Sequence, residues 1–358
     1  VHWPVIWQPT EPEQLFSYHT EVAMSLVTEK LLRLASRGMR MTMRHIPLGV
    51  SRAFSARTLP IFIFHAVESQ PKPYLKHLYD CHTPESFERV LDEILRYFKP
   101  LEDLSPQGIE LAGADRFLIT FDDGLRSSYE VAAPILERKG IPAIHFLITD
   151  FLSGTSSSRV EEKFKASLLM ETLKSRSERD QTDVANILAR MGYGSSEPVQ
   201  ALMSVRLADG AVFDAVAARL SLDFDSYFRA DRPYINHDEA ADLTRRGFML
   251  GAHSCDHPRY WEIGLDEQVA QTRRSMRHMS ESFNLPYRYF AFPYKNRGIK
   301  PAFYDQIRNE VDLFFTTSGW GNRMNADHVF HRVGLDSSDS AIAALQCGWR
   351  PFPLSLVQ

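Results

Sequence analysis

Apolar residues along this chain gather in short blocks separated by stretches with helical spacing. Ile61-Phe62-Ile63-Phe64 is a β-prone run that predicts a buried strand ending at His65. Thr83 and Pro84 then open a helix whose apolar stripe is Phe87, Val90, Leu91, Ile94, Leu95 and Phe98, and Pro100 ends it. Phe117 to Phe121 predicts a second strand, Ser127 to Lys139 a helix stopped at Gly140, and Ile144 to Ile148 a third strand. After a break the rhythm resumes. Asn236, with Glu239 three residues on, caps a helix that Gly247 terminates. Phe248 to Ala252, Tyr289 to Phe292, Leu313 to Thr317 and Val329 to Val333 read as further strands, with a helix over Asp266 to Phe283. At least seven strands alternating with helices favour a parallel (β/α) barrel over an open sheet.

Two stretches depart from this alternation. Residues 151–235 begin with Ser153-Gly154-Thr155-Ser156-Ser157-Ser158 and continue as a long polar, helix-prone run, which reads as an insertion within a barrel domain spanning 59–345. Residues 1–58 form an extension that carries seven Lys or Arg between Met24 and Thr58 against the single acid Glu29. Leucines and methionines interleave with those charges, so residues 24–58 either pack as an arm on the main domain or contact an anionic membrane surface. Residues 346–358 are left as a tail.

Charge and composition narrow the function classes. With 41 Lys and Arg against 45 Asp and Glu, the chain lacks the basic excess that a phosphate backbone demands, so nucleic acid is not an expected partner. No window approaches a membrane span. No basic start followed by an apolar run is visible, which favours a cytoplasmic or membrane-peripheral location. Cys81, Cys255 and Cys347 are too widely spaced for a CxxC pair or a disulfide framework.

Three segments fall where strands end, the usual ligand side of parallel α/β folds. Thr120-Phe121-Asp122-Asp123-Gly124 places two carboxylates after an apolar strand. His253-Ser254-Cys255-Asp256-His257-Pro258 places two imidazoles on a loop, since Pro258 disfavours a right-handed helical His257. One carboxylate and two neutral imidazoles make a ligand set for a divalent ion with open positions, and the second carboxylate is then free to act as a base. On an extended backbone, alternation sends Asp122 and Asp123 opposite ways, with Asp123 the ligand. The third segment, Phe290-Ala291-Phe292-Pro293-Tyr294, reads as a core strand broken by proline or as a pocket wall whose backbone N–H serves an oxyanion.

These motifs resemble those of the polysaccharide deacetylase, or NodB-homology, family of the carbohydrate esterase family 4 type, over Leu59 to about Asp336 without the insertion. The resemblance implies a distorted (β/α)7 barrel of the NodB type, here with an N-terminal extension and a helical insertion. It implies Asp122 as catalytic base and Asp123, His253 and His257 as ligands of a divalent metal, with Zn the default and Co, Ni or Fe also suited. Phe-Ala-Phe-Pro-Tyr at 290–294 is similar to the third motif of the FAFP-type branch, whose pocket proline and aromatic residue would be Pro293 and Tyr294; Arg332 resembles a residue of that branch and His65 a histidine many members carry after the first strand, and both are expected at the substrate. The arginine that orients the catalytic Asp in better-known members is replaced by Ala291, and the usual general-acid histidine motif is missing, leaving His331 as the acid expected from this reading. The implied function is metal-dependent hydrolysis of acetyl groups from N-acetylated sugars in a polysaccharide or glycan precursor. A catalytically impaired glycan-binding module, or a deacylase of an O-acetyl ester or small cyclic amide, are the alternatives.

Overall fold

The computed structural model describes residues 58–152, 162–195, 197–206, 209–296, 298–319, 328–336 and 338–348. The basic stretch considered above for membrane contact, apart from Thr58, lies outside them, as does the end of the C-terminal tail. Among the described residues, no helix is long and apolar enough to cross a membrane.

The chain runs β1 (Ile61–Phe64), α1 (Pro84–Tyr97), β2 (Lys99–Pro100), α2 (Pro106–Leu111), β3 (Arg116–Phe121), α3 (Ala133–Lys139) and β4 (Ala143–Leu147). Five helices follow: α4 (Glu162–Lys174), α5 (Glu178–Arg190), α6 (Pro198–Ser204), α7 (Ala211–Arg219) and α8 (Phe224–Ala230). The alternation returns with α9 (His237–Arg245), β5 (Met249–Ala252), α10 (Leu265–Phe283), β6 (Tyr289–Ala291), α11 (Pro301–Ile307), β7 (Leu313–Thr316), β8 (Val329–His331), β9 (Val333–Gly334) and α12 (Ala341–Gly348).

Local chemistry sets the element ends. Thr83 accepts from the Ser86 N–H at the start of α1, and the Asn236–Glu239 capping box is complete at α9. The segment expected as one helix over 127–139 opens instead with a π-helical turn, Ser128–Ala132, before α3. Pro134 has no N–H to give to the turn before it, and the Ala133 N–H bonds back five residues to the Ser128 carbonyl.

All strand pairs are parallel, in the order β8-β7-β6-β5-β4-β3-β1-β9, with β2 beside β3. The strand expected over Val329 to Val333 is broken at Arg332, and its two halves lie at opposite ends of that order. Its first half pairs with β7 and its second with β1, so this one interrupted strand closes a distorted barrel. Taking β8 and β9 as one and setting the short β2 aside, the nine strands reduce to seven.

Alternation along the strands divides the barrel core. Phe62, Phe64, Phe117, Ile119, Phe121, Leu250 and Phe290 pack outward against the helices. Ile61, Leu118, Ile144, Phe146, Ala291, Phe315 and Phe330 fill the interior. Gly251 is the cost of that filling: a Cβ there would lie 2.5 Å from the Phe146 ring, so no side chain fits. Helices α4 to α8 have an apolar core of their own, built from Phe164, Leu168, Val184, Phe213 and Phe228, which also takes in Ala66, Tyr74, Leu125 and Ile148 of the barrel loops. The inserted helices therefore sit on the barrel at the loops that follow its strands.

Candidate metal centre and active site

Parity decides which side chains reach the barrel mouth. In β3 the interior position Leu118 is followed by Thr120 and then Asp122, so Asp122 points inward just past the strand end. Strict alternation would turn Asp123 outward. It does not, because Asp123 has φ 67 and Gly124 φ 69, and this left-handed turn swings the second carboxylate back to the same mouth. Ser254 (φ 65), His257 (φ 61) and Tyr294 (φ 57) share the unusual conformation, which concentrates backbone strain around one point.

The imidazoles arrive from the loop after β5. The Ser254 hydroxyl accepts from the His257 N–H at 3.0 Å, and the Gln271 side chain of α10 accepts from the Cys255 N–H at 3.0 Å while donating to Asp256 at 2.8 Å. Cys255 is buried in this packing. His253 Nδ1 lies 2.9 Å from the Ala291 carbonyl, which makes Nδ1 the protonated nitrogen and leaves Nε2 as a lone-pair donor. His253 Nε2 and His257 Nε2 stand 3.2 Å and 3.1 Å from Asp123 Oδ1. That oxygen is buried and accepts no hydrogen bond among the described residues. Three donor atoms from Asp123, His253 and His257 lie within 4.8 Å of one another, all three residues buried. An orphaned carboxylate oxygen facing two imidazole nitrogens fits a divalent cation.

Asp122 is held by Arg332. The guanidinium donates through Nη1 to Oδ1 at 2.6 Å and through Nη2 to Oδ2 at 2.7 Å, and Nη1 also donates to Thr120 Oγ1 at 3.1 Å. Its carbon lies 5.1 Å from the Phe146 ring and 5.9 Å from that of Phe315. Burial pushes the Asp122 carboxyl up, but the charge and hydrogen bonds of Arg332 outweigh it and hold the group below its usual range. Arg332 was expected at the substrate. It is fully buried with both guanidinium ends on Asp122, so it contacts that carboxylate.

His331 and His65 occupy different environments. Phe330 and Arg332 face the interior, which sends His331 to the outer face, where Nδ1 meets Thr316 Oγ1 at 2.5 Å. Burial pushes its pKa down to about 4, so it is a neutral imidazole at pH 7. The expected acid is thus aimed away from the carboxylates. His65, by contrast, follows β1 at an inward position, with Nδ1 2.6 Å from Asp336 Oδ2 and its backbone N–H 2.8 Å from Oδ1. Burial lowers its pKa, but Asp336, Asp123 and Asp122 together raise it to about 9. Its ring lies 5.2 Å from that of Tyr79, whose hydroxyl donates to Asp123 Oδ2.

Pro293 is buried beside the mouth and Tyr294 is partly exposed there, its ring 4.6 Å from His257 and 5.9 Å from the exposed Trp261.

No model of a known protein family matches the chain, and no curated protein matches it. Solved structures do. The deacetylase PplD of Streptococcus pyogenes, in complex with acetate, is 16% identical over 82% of this chain and 100% of its own, with a TM-score of 0.51. IcaB from Ammonifex degensii is 18% identical over 82% of this chain and 98% of its own, with a TM-score of 0.49. This chain has the fold of the deacetylase PplD.

Two residues beside the site had no signal in the sequence: Tyr79, which donates to Asp123, and Asp336, which pairs with His65. Each is isolated in sequence and reaches the site only through the fold. His82 is buried, its Nε2 2.8 Å from the Leu335 carbonyl and its Nδ1 3.1 Å from Ser86 Oγ.

Proposed function

We propose that this chain is a metal-dependent hydrolase of the polysaccharide deacetylase kind, removing acetyl groups from N-acetylated sugars of a polysaccharide or glycan precursor. The observation that carries the reading is the convergence of Asp123, His253 and His257 on one point, with Asp122 clamped by Arg332 beside them. A divalent cation held by Asp123, His253 and His257, Zn by default, would supply a Lewis acid for the acetyl carbonyl and acidify water. Asp122, ionised at neutral pH, takes the proton of the attacking water as its oxygen bonds to the acetyl carbon. Arg332 keeps that carboxylate charged and aimed. Protonated His65, held by Asp336, gives its proton to the departing nitrogen, so the C–N bond breaks to acetate and a free amine. Tyr294 and Trp261 offer aromatic faces to the sugar.

The binding-module alternative drew its support from Ala291 and the missing histidine motif. Arg332 and the His65–Asp336 pair fill both roles from other positions, so nothing specific now favours it. Protein loaded with Zn or Co is expected to release acetate from N-acetylglucosamine oligomers, and a chelator is expected to stop it. Intact sugar binding with no acetate from any acetylated glycan would overturn the reading.

The assigned acid carries its own prediction. A base working below the usual carboxylate range and an acid near pH 9 give a bell-shaped pH profile whose alkaline limb belongs to His65. In Asp336→Asn the pairing charge is gone while burial remains, so that limb moves toward lower pH. An alkaline limb unchanged in Asp336→Asn would remove His65 from this role.

A further inference from the structure

The inserted helices bring a charge to the metal site. Lys163, in the first turn of α4, reaches over the barrel mouth and is only 11% exposed. Its Nζ lies 3.7 Å from Asp123 Oδ2 and 2.7 Å from the Tyr79 hydroxyl, which itself donates to Oδ2. The rings of Tyr79, Phe164 and Tyr294 surround the ammonium at 5.2, 5.6 and 5.8 Å. The two oxygens of Asp123 therefore have separate tasks: Oδ1 faces the imidazoles, and Oδ2 faces a hydroxyl and a cation.

We propose that Lys163 is a positioning residue that tunes the metal site, drawing charge from the ligand Asp123 so that the cation is bound less tightly and acts as a stronger Lewis acid. This rests on the metal-site reading above. An ammonium that shares a carboxylate with a divalent cation repels that cation and competes for the oxygen's charge, and the burial of Lys163 among aromatic rings limits screening by water. Tyr79 sits between the two, holding Oδ2 so that Oδ1 remains turned to the histidines. The feature is a property of the insertion, because no barrel element contributes the lysine.

The test is an affinity measurement. Co2+ or Zn2+ is titrated into the full chain in competition with a chromophoric chelator, for the wild type, Lys163→Met, Lys163→Arg and Asp123→Asn. With that repulsion removed, Lys163→Met should bind the cation more tightly, on the order of 10-fold, and Lys163→Arg, which keeps the charge, should stay near the wild type. A lysine that merely tethers α4 to the barrel predicts the reverse, a loosened site and weaker binding in Lys163→Met. Equal or weaker affinity in Lys163→Met would overturn the proposal. A wild type that binds no cation, indistinguishable from Asp123→Asn, would instead overturn the metal-site reading on which it depends.

Discussion

Asp122→Asn should abolish acetate release while leaving cation binding in place. Removing a general base costs about 10²- to 10⁴-fold in rate, and an amide cannot take the proton of the attacking water. Asp123, His253 and His257 are untouched, so the metal content of the variant should match the wild type. The substitution is not silent structurally, because Arg332 loses its buried counter-charge and keeps only a neutral amide oxygen there, while its contacts to Thr120 and the Thr316 carbonyl remain. Metal content and thermal unfolding measured alongside the assay separate a chemical defect from a folding one. Activity within 10-fold of the wild type in a folded, metal-loaded Asp122→Asn protein would assign the base elsewhere.

Much of this site is legible in the sequence because its carboxylates and imidazoles sit in local motifs at strand ends. A strand's apolar run announces where its last residue lies, and Asp122, Asp123, His253 and His257 follow directly on β3 and β5. The alternating strands and helices also give the barrel, since parallel pairing needs crossovers of that length. What escaped belongs to register and to distance in sequence. Arg332 and His331 are neighbours, and only the parity of β8 against β7 tells which faces Asp122. The sequence offers no marker for the break in that strand, which comes from the barrel closing on itself at a buried guanidinium. Asp336 and His65 are separated by 271 residues and meet because β9 pairs with β1. Lys163 is one of several lysines on a polar helix, distinguished only by how α4 docks. Alternation alone sends Asp123 outward, and its left-handed backbone is the physical reason that both carboxylates share the mouth.

Arg332→Met is expected to unfold at lower temperature and to lose activity, and the two effects have one cause. Methionine keeps much of the volume against Phe146 and Phe315 but leaves the Asp122 carboxylate buried without its partner. Breaking a buried ion pair by removing one member costs about 3–5 kcal/mol, far more than an exposed pair. The sign of the pH dependence follows from the shift. Asp122 titrates below 3.8 in the folded chain, so its contribution to stability is in place above the unfolded value and is lost as pH falls through the folded one. Without Arg332, burial acts with less opposition and the carboxyl titrates higher, so the acid limb of acetate release moves to higher pH. Loss of stability in the double variant Asp122→Asn/Arg332→Met should be smaller than the sum of the single losses, since no buried charge is then left uncompensated. Additive losses, or an acid limb in Arg332→Met that coincides with the wild type, would mean that Arg332 neither holds Asp122 ionised nor sets its aim.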